Sequence, residues 1–136
     1  VFESGGGGLV STADDCLAFW CMMLDRGRHD GRRLLARPTV EAMTADQLLP
    51  SQKDGAELFF GDSKGWGFGF GVTVRRTDPW ETPGRFGWDG GLGTSAYADP
   101  QEGLVGVLLT QRMMESPRPP RAFTDFWSGA YQAIDD

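Results

Sequence analysis

The stretch from residue 84 to residue 95 constrains the fold most. Five of its twelve residues are glycine, and it lies between two segments with the pattern of strands. Glycine weakens a strand, since it packs no side chain and loses much backbone entropy on folding. A glycine-rich strand therefore predicts that another group approaches the backbone closely. Two interpretations stay open here: the group is a bound ligand, or it belongs to the protein, at a bulge or a packed helix.

The composition is that of one folded domain. The chain has 136 residues, of which 40% are hydrophobic, 24% are charged and 20 are glycine. Its net charge of -6 disfavours nucleic-acid binding, which needs a clustered basic face. No apolar run approaches the roughly 20 residues of a membrane span, and no signal peptide is visible. We expect a soluble protein without a nucleic-acid partner or membrane span, with a cytoplasmic location slightly favoured over a periplasmic or secreted one.

Cofactor and metal chemistry finds little support in the sequence. The glycines at 5–8 do not match the G-x-G-x-x-G spacing of nucleotide-binding loops, because Val10 stands where the last glycine should be. Cys16 and Cys21 lie on different faces of one predicted helix, too far apart for a disulfide. The single histidine, His29, lies in a turn with Asp30 and Gly31. The sequence therefore predicts no cofactor and no metal ligand.

Hydrophobic periodicity predicts helices first and strands later. The predicted helices are 12–26 with Ser11 as the N-cap, a short one beginning near Pro38, and a last one carrying apolar residues from 123 to 134. The predicted strands are 66–74, the glycine-rich strand within 84–95, 94–98 and 104–110. We expect an α/β fold of the α+β type, with a three- to four-stranded antiparallel meander and a C-terminal helix. Residues 1–136 form one segment, with helices and loops over 1–64 and the sheet and last helix over 65–136.

Aromatic residues in the second half allow a different function. Trp66, Phe68, Phe70, Trp80, Phe86 and Trp88 could line a groove that stacks on a sugar or a peptide. The chain would then be a non-catalytic, β-rich binding module. The competing interpretation is that most of these side chains are core.

Two local motifs and the order of the elements resemble a known superfamily. Residues 6–14 read GGGLVSTAD, which resembles the start of a helix in the serine β-lactamases, penicillin-binding proteins and related esterases. Residues 86–94 read FGWDGGLGT and, with the apolar strand at 104–110, resemble the third active-site motif of that superfamily. The resemblance covers about residues 5 to 134. It implies the C-terminal portion of the β-lactamase/transpeptidase-like fold.

The superfamily's other two motifs have no match in this chain. Its nucleophile motif, Ser-x-x-Lys, is absent, and so is the Tyr-x-Asn or Ser-x-Asn motif. Both normally precede the portion that the chain resembles. We therefore expect an incomplete domain, whose partner is the missing N-terminal part. The resemblance implies that the full-length protein is an enzyme and that this chain alone is inactive. The alternative is that the chain is a degenerate, non-catalytic homologue.

The resemblance also implies site residues. Trp88, Asp89 and Gly90 match the third motif, which is usually Lys or His, then Thr, Ser or Gly, then Gly. The next residue, Gly91, matches the position whose backbone N–H stabilises the oxyanion of acyl transfer. The implied substrate is a small-molecule ester, amide or lactam. Because Asp89 adds negative charge where a lactam carboxylate would bind, we expect neutral esters or amides to be preferred over penicillins.

Overall fold

The first helix begins and ends close to the predicted positions. The computed structural model describes residues 6–135, and in it α1 spans Ala13–Leu24. Thr12 is the N-cap rather than the predicted Ser11: its hydroxyl accepts a hydrogen bond from the Asp15 N–H at 3.1 Å. Past the helix end, the Gly27 N–H donates to the Met22 carbonyl at 2.9 Å with a φ of +88°, which glycine adopts without strain.

Short elements connect α1 to the main sheet. A two-stranded hairpin follows α1, and three helical segments follow the hairpin. These elements are β1 (Arg28–His29), β2 (Arg32–Arg33), α2 (Arg37–Met43), a 3₁₀ turn (Pro50–Gln52) and α3 (Glu57–Phe60). The predicted short helix near Pro38 corresponds to α2, which has Pro38 in its first turn. Of the residues from 6 to 135, none belongs to a helix long and apolar enough to cross a membrane.

The main sheet is an antiparallel meander of five strands in chain order. Its strands are β3 (Lys64–Trp66), β4 (Gly71–Thr73), β5 (Phe86–Gly90), β6 (Thr94–Asp99) and β7 (Leu104–Leu109). The α+β class and the meander are as predicted, but the strand count is higher. The predicted single strand at 66–74 is a hairpin, because the chain turns back between Trp66 and Gly71, where the Gly67 N–H donates to the Phe70 carbonyl at 2.8 Å.

The sheet carries one helix layer on each face. On one face, Trp20 and Met23 of α1 pack against Phe70, Phe86 and Ala98 of the sheet region. On the other face lies α4 (Arg121–Gln132), whose Phe123 and Trp127 are buried. Gly106 of β7 leaves room for the Trp127 ring, since a Cβ there would lie 2.5 Å from it. The predicted apolar stripe of the last helix is therefore core at these positions.

Candidate active site

The strand β5 extends beyond its pairing with β4. The pairing joins Phe86 to Val72 and Gly87 to Gly71 and ends there, whereas the pairing with β6 continues to Gly90. The Arg85 carbonyl accepts from the Thr73 N–H at 2.8 Å, so this carbonyl points toward β4. Backbone groups alternate in direction along an extended chain, so those of Asp89 point the same way. Within residues 6–135, β5 therefore has no partner strand on its β4 side at Asp89, although β6 pairs with it on the other side.

Gly91 begins the turn that joins β5 to β6 and is exposed. A Cβ placed on it would have no atom within 4 Å. Its carbonyl accepts from the Met114 N–H at 2.9 Å, while its own N–H has no hydrogen-bond partner within residues 6–135. Gly91 therefore offers a free donor beside open space.

Three other glycines of the same stretch leave room for the protein itself. A Cβ on Gly87 would collide with the Ala96 carbonyl and the Tyr97 ring. One on Gly90 would collide with the Thr94 hydroxyl, and one on Gly93 with the Arg112 carbonyl. The interpretation in which the protein itself approaches the backbone is therefore confirmed at these three glycines, and a ligand at Gly91 stays a prediction.

A cavity of about 610 Å³ lies along the end of β5. Trp88, Asp89 and Gly91 line it, together with apolar side chains from α3 and from the segment that follows β7. Those apolar residues include Leu58, Phe59, Met113 and Met114. The structure thus brings three of the four predicted site residues to one cavity, and Gly90 is not among its lining residues.

Trp88 belongs to an aromatic cluster. Its ring lies 4.6 Å from that of Trp66 in an edge-to-face arrangement and 6.5 Å from that of Phe59. Gly71 of the neighbouring strand leaves space for the Trp88 ring. The residue is 38% exposed, so its ring can form an apolar wall that a ligand reaches.

Asp89 is held by buried donors on the α4 side of the sheet. The Ser95 hydroxyl donates to one carboxylate oxygen at 2.6 Å, and the Tyr97 hydroxyl donates to the other at 3.3 Å. The Trp127 indole N–H donates to the same Ser95 oxygen at 2.9 Å. Burial, and then the Asp89 charge, raise the pKa of Tyr97 far above its usual range, so its hydroxyl stays protonated and can donate.

The sequence interpretation missed three charged residues at this site, which are Lys64, Glu81 and Arg85. Lys64 lines the 610 Å³ cavity, and its ammonium pairs with the Glu81 carboxylate at 3.0 Å. Arg85 lies under the cavity wall, with its guanidinium over the Tyr97 ring at 3.7 Å. Lys64 stood in a stretch with the composition of a surface loop. For Arg85 a signal existed, since alternation places it on the same face of the strand as Asp89.

Metal-binding clusters are not found in the part of the chain that the structure describes. No three His, Cys, Asp or Glu residues within 6–135 lie close enough together to hold a metal ion. The groups that the site offers are a free backbone donor, an aromatic wall and a hydrogen-bonded carboxylate.

Solved structures with the same fold include penicillin-binding-protein relatives. A penicillin-binding protein homologue from Caulobacter crescentus superposes with a TM-score of 0.55 at 28% identity, over 71% of this chain and 25% of that one. Simvastatin synthase (LovD) from Aspergillus terreus gives a TM-score of 0.61 at 20% identity, over 85% of this chain and 32% of that one. The second likeness shows the fold alone.

Sequence comparison agrees with the fold. Two Mycobacterium tuberculosis proteins, the uncharacterized protein MT1414 and protein Rv1367c, are each 39% identical over 118 residues. That match covers 81% of this chain and 29% of the length of each relative. The family model described as Beta-lactamase matches residues 2–126. The chain therefore belongs to the beta-lactamase family.

Proposed function

We propose that this chain forms one wall of the catalytic cleft of a serine hydrolase that works through an acyl-serine intermediate. The observation that carries the proposal is the Gly91 N–H, which is unpartnered within residues 6–135 and belongs to an exposed residue that lines the 610 Å³ cavity. The chain contains no Ser-x-x-Lys sequence. The reacting serine is therefore proposed to come from a part of the full-length protein outside these 136 residues.

The chemistry explains why a backbone donor matters. The serine oxygen bonds to the substrate's carbonyl carbon and gives its proton to a base outside this chain. The carbonyl oxygen then carries a negative charge until the leaving group departs. Water later attacks the acyl-serine and returns the serine hydroxyl. A positioned N–H stabilises the charged oxygen both when the acyl-serine forms and when water hydrolyses it. Losing one such donor typically raises the activation barrier by about 3–4 kcal/mol.

The charges around the cavity favour a neutral ester or amide as substrate. Asp89 places a carboxylate in the wall. Lys64, a cation in the same wall, is already paired with Glu81. A substrate carboxylate about 4 Å from Asp89 would be repelled by about 1 kcal/mol in water and about 4 kcal/mol at an effective dielectric of 20.

This preference predicts that penicillins are poor substrates of the full-length protein. We expect kcat/KM for a penicillin to be at least about tenfold below that for a short-chain p-nitrophenyl ester, since each 1.4 kcal/mol corresponds to a factor of ten. Asp89→Asn removes the charge. It should raise kcat/KM for the penicillin and so bring it closer to kcat/KM for the ester. A penicillin hydrolysed as fast as the ester by the unaltered protein would contradict the preference.

Labelling with a serine-directed fluorophosphonate tests the proposed function. We expect the full-length protein to carry one label, which peptide mass spectrometry places on a serine outside these 136 residues. The 136-residue chain alone should not label. Stoichiometric labelling of the chain alone would contradict the proposal. A full-length protein that never labels would instead favour the non-catalytic binding module.

A further inference from the structure

A second, smaller cavity adjoins the one described above. Its volume is about 130 Å³, and four residues line both cavities: Lys64, Asp89, Tyr97 and Pro119. Its remaining wall includes Arg85 and Trp127. It therefore lies between the sheet and α4, next to the proposed substrate cavity.

The guanidinium of Arg85 is buried, and two of its nitrogens have no hydrogen-bond partner within residues 6–135. The residue is only 2% exposed, and its guanidinium lies between the Tyr97 ring at 3.7 Å and the Trp127 ring at 4.3 Å. Its Nε and Nη2 atoms are buried and have no hydrogen-bond partner within residues 6–135. Buried polar groups in folded proteins nearly always have partners, and leaving a charged one unpaired is costly. The aromatic rings supply attraction to the cation but no acceptor oxygen.

The neighbouring carboxylates do not accept hydrogen bonds from the Arg85 guanidinium. The Glu81 carboxylate accepts from Lys64 at 3.0 Å and from the Thr77 hydroxyl at 2.6 Å. The Asp89 carboxylate is held by Ser95 and Tyr97, as described above. Asp78, the third acidic residue of this cavity, is exposed, so water and salt screen its charge. The unmet hydrogen-bonding capacity therefore belongs to donors, and an occupant must bring acceptor oxygens.

We propose that the small cavity is a binding subsite for a carboxylate group, held by the Arg85 guanidinium. A carboxylate supplies two acceptor oxygens in the planar arrangement that a guanidinium matches, and its charge neutralises the buried cation. A volume of about 130 Å³ accommodates such a group with a few carbon atoms, since a water molecule occupies roughly 30 Å³ of liquid.

The position of Arg85 limits which carboxylates fit. Arg85 and Gly91 are six positions apart in the sequence, roughly 20 Å along an extended chain. A carboxylate next to the scissile carbonyl, as in a penicillin, would therefore lie in the larger cavity, which Asp89 and Gly91 line and Arg85 does not. The subsite suits either the far end of a long acyl group or a separate small carboxylic acid. The first of these sources rests on the proposed function, and the second does not.

Binding of sodium acetate to the full-length protein tests the subsite without requiring activity. We expect saturable binding in a calorimetric titration, and none with sodium chloride at the same ionic strength. Arg85→Met should weaken acetate binding at least about tenfold. Arg85→Lys keeps the charge but loses the planar pair of N–H donors, and it should weaken acetate binding less. Arg112→Met removes an exposed arginine and should leave binding unchanged. Circular dichroism and melting temperature report whether each variant is folded.

Two results would overturn the proposal. One is the absence of saturable acetate binding to the unaltered protein, as expected if the cavity holds only water. The other is equal acetate affinity in a folded Arg85→Met variant.

Ester kinetics then distinguish the two sources of the carboxylate. The probes are the p-nitrophenyl monoester of suberic acid and p-nitrophenyl octanoate, which have acyl chains of equal length and differ in the terminal carboxylate. If the carboxylate belongs to the substrate, Arg85→Met raises KM for the suberate ester alone, by about the factor lost for acetate. If it is a separate ligand, neither KM changes while acetate binding is still lost. Failure to hydrolyse either ester would count against the proposed function, and the acetate titration would still decide the subsite.

Discussion

The hydroxyl of Ser95 connects the last helix to the candidate site. Ser95 is fully buried, and its oxygen accepts from the Trp127 indole of α4 while donating to the Asp89 carboxylate of β5. One small side chain thus joins a helix and two strands. Because both partners lose hydrogen bonds if the hydroxyl is removed, its loss should affect stability more than its size suggests.

Ser95→Ala should therefore lower the free energy of unfolding by about 1–3 kcal/mol, the cost of leaving a buried donor without an acceptor. Urea denaturation of the full-length protein measures the change. Ser128→Ala is the matched control. Among residues 6–135 its hydroxyl bonds only the Thr124 carbonyl of its own helix, so its loss should cost under about 0.5 kcal/mol. Equal, small losses in the two variants would show that the connection through Ser95 contributes nothing.

The role of each glycine could not be predicted from its identity. The sequence indicated that residues 84–95 approach something closely, but Gly87 and Gly91 look alike in a list of residues. Gly87 lies opposite Tyr97 in the register of β5 and β6, and that ring fills its space. Gly91 lies in the turn after β5, where no strand of residues 6–135 pairs with it. Strand register separates the two cases, and it depends on residues far along the chain.

Among the connecting elements, the loop after α2 is fixed to β3 by one carboxylate. Asp46 accepts from the Leu48 and Trp66 N–H groups at 3.1 Å each and from the Lys53 ammonium at 2.6 Å. Gly65 has no Cβ and leaves room for this carboxylate. Burial acts to raise the pKa of Asp46, but the hydrogen bonds from Lys53, Leu48 and Trp66 outweigh it and lower that pKa below its ordinary 3.8.

The lowered pKa predicts a contribution to stability that acid removes. Because the folded state favours the charged form, the contribution is fully present above the unfolded pKa and is lost as the pH falls through the folded pKa. Asp46→Asn should therefore be less stable than the unaltered protein at pH 7, and the difference should shrink below pH of about 4. Thermal unfolding between pH 7 and pH 2.5 measures it.

Asp62→Asn provides the comparison, since it removes the carboxylate of an exposed ion pair with Arg75. Its stability should match that of the unaltered protein at every pH. A stability difference for Asp46→Asn that stays constant down to pH 2.5 would contradict the role given to Asp46.

Helices were predicted more accurately than the first strands. The spacing of apolar residues in α1 and α4 marks a buried face, and that signal is local. Trp66, Phe68 and Phe70 alternate with glycine as in one continuous strand, yet Phe68 is 60% exposed and lies in a turn. Alternation continued through the turn because glycine suits both a strand edge and a reversal of the chain.

Considered as a whole, the chain forms a sheet with a helix on each face. Within residues 6–135, the end of β5 has no partner strand on its β4 side. The meander, the C-terminal helix and the beta-lactamase family could be predicted, because a motif and the order of elements carry them. Lys64 could not, because it comes to the cavity from a stretch with the composition of a surface loop, whereas Arg85 was missed although strand alternation places it on the same face as Asp89. The chain spans 29% of the length of its Mycobacterium tuberculosis relatives, and under the proposed function the opposite wall of the cleft comes from outside these 136 residues.

The central claim is that the Gly91 N–H stabilises the oxyanion, and one pair of variants tests it directly. Proline at position 91 removes the N–H, whereas alanine keeps it and has free space for its methyl group. The measurement is kcat for a short-chain p-nitrophenyl ester in the full-length protein, with melting temperature as the folding control. We predict a loss of about 10²–10³ for Gly91→Pro and less than about twofold for Gly91→Ala. A folded Gly91→Pro variant that keeps the kcat of the unaltered protein would contradict the claim.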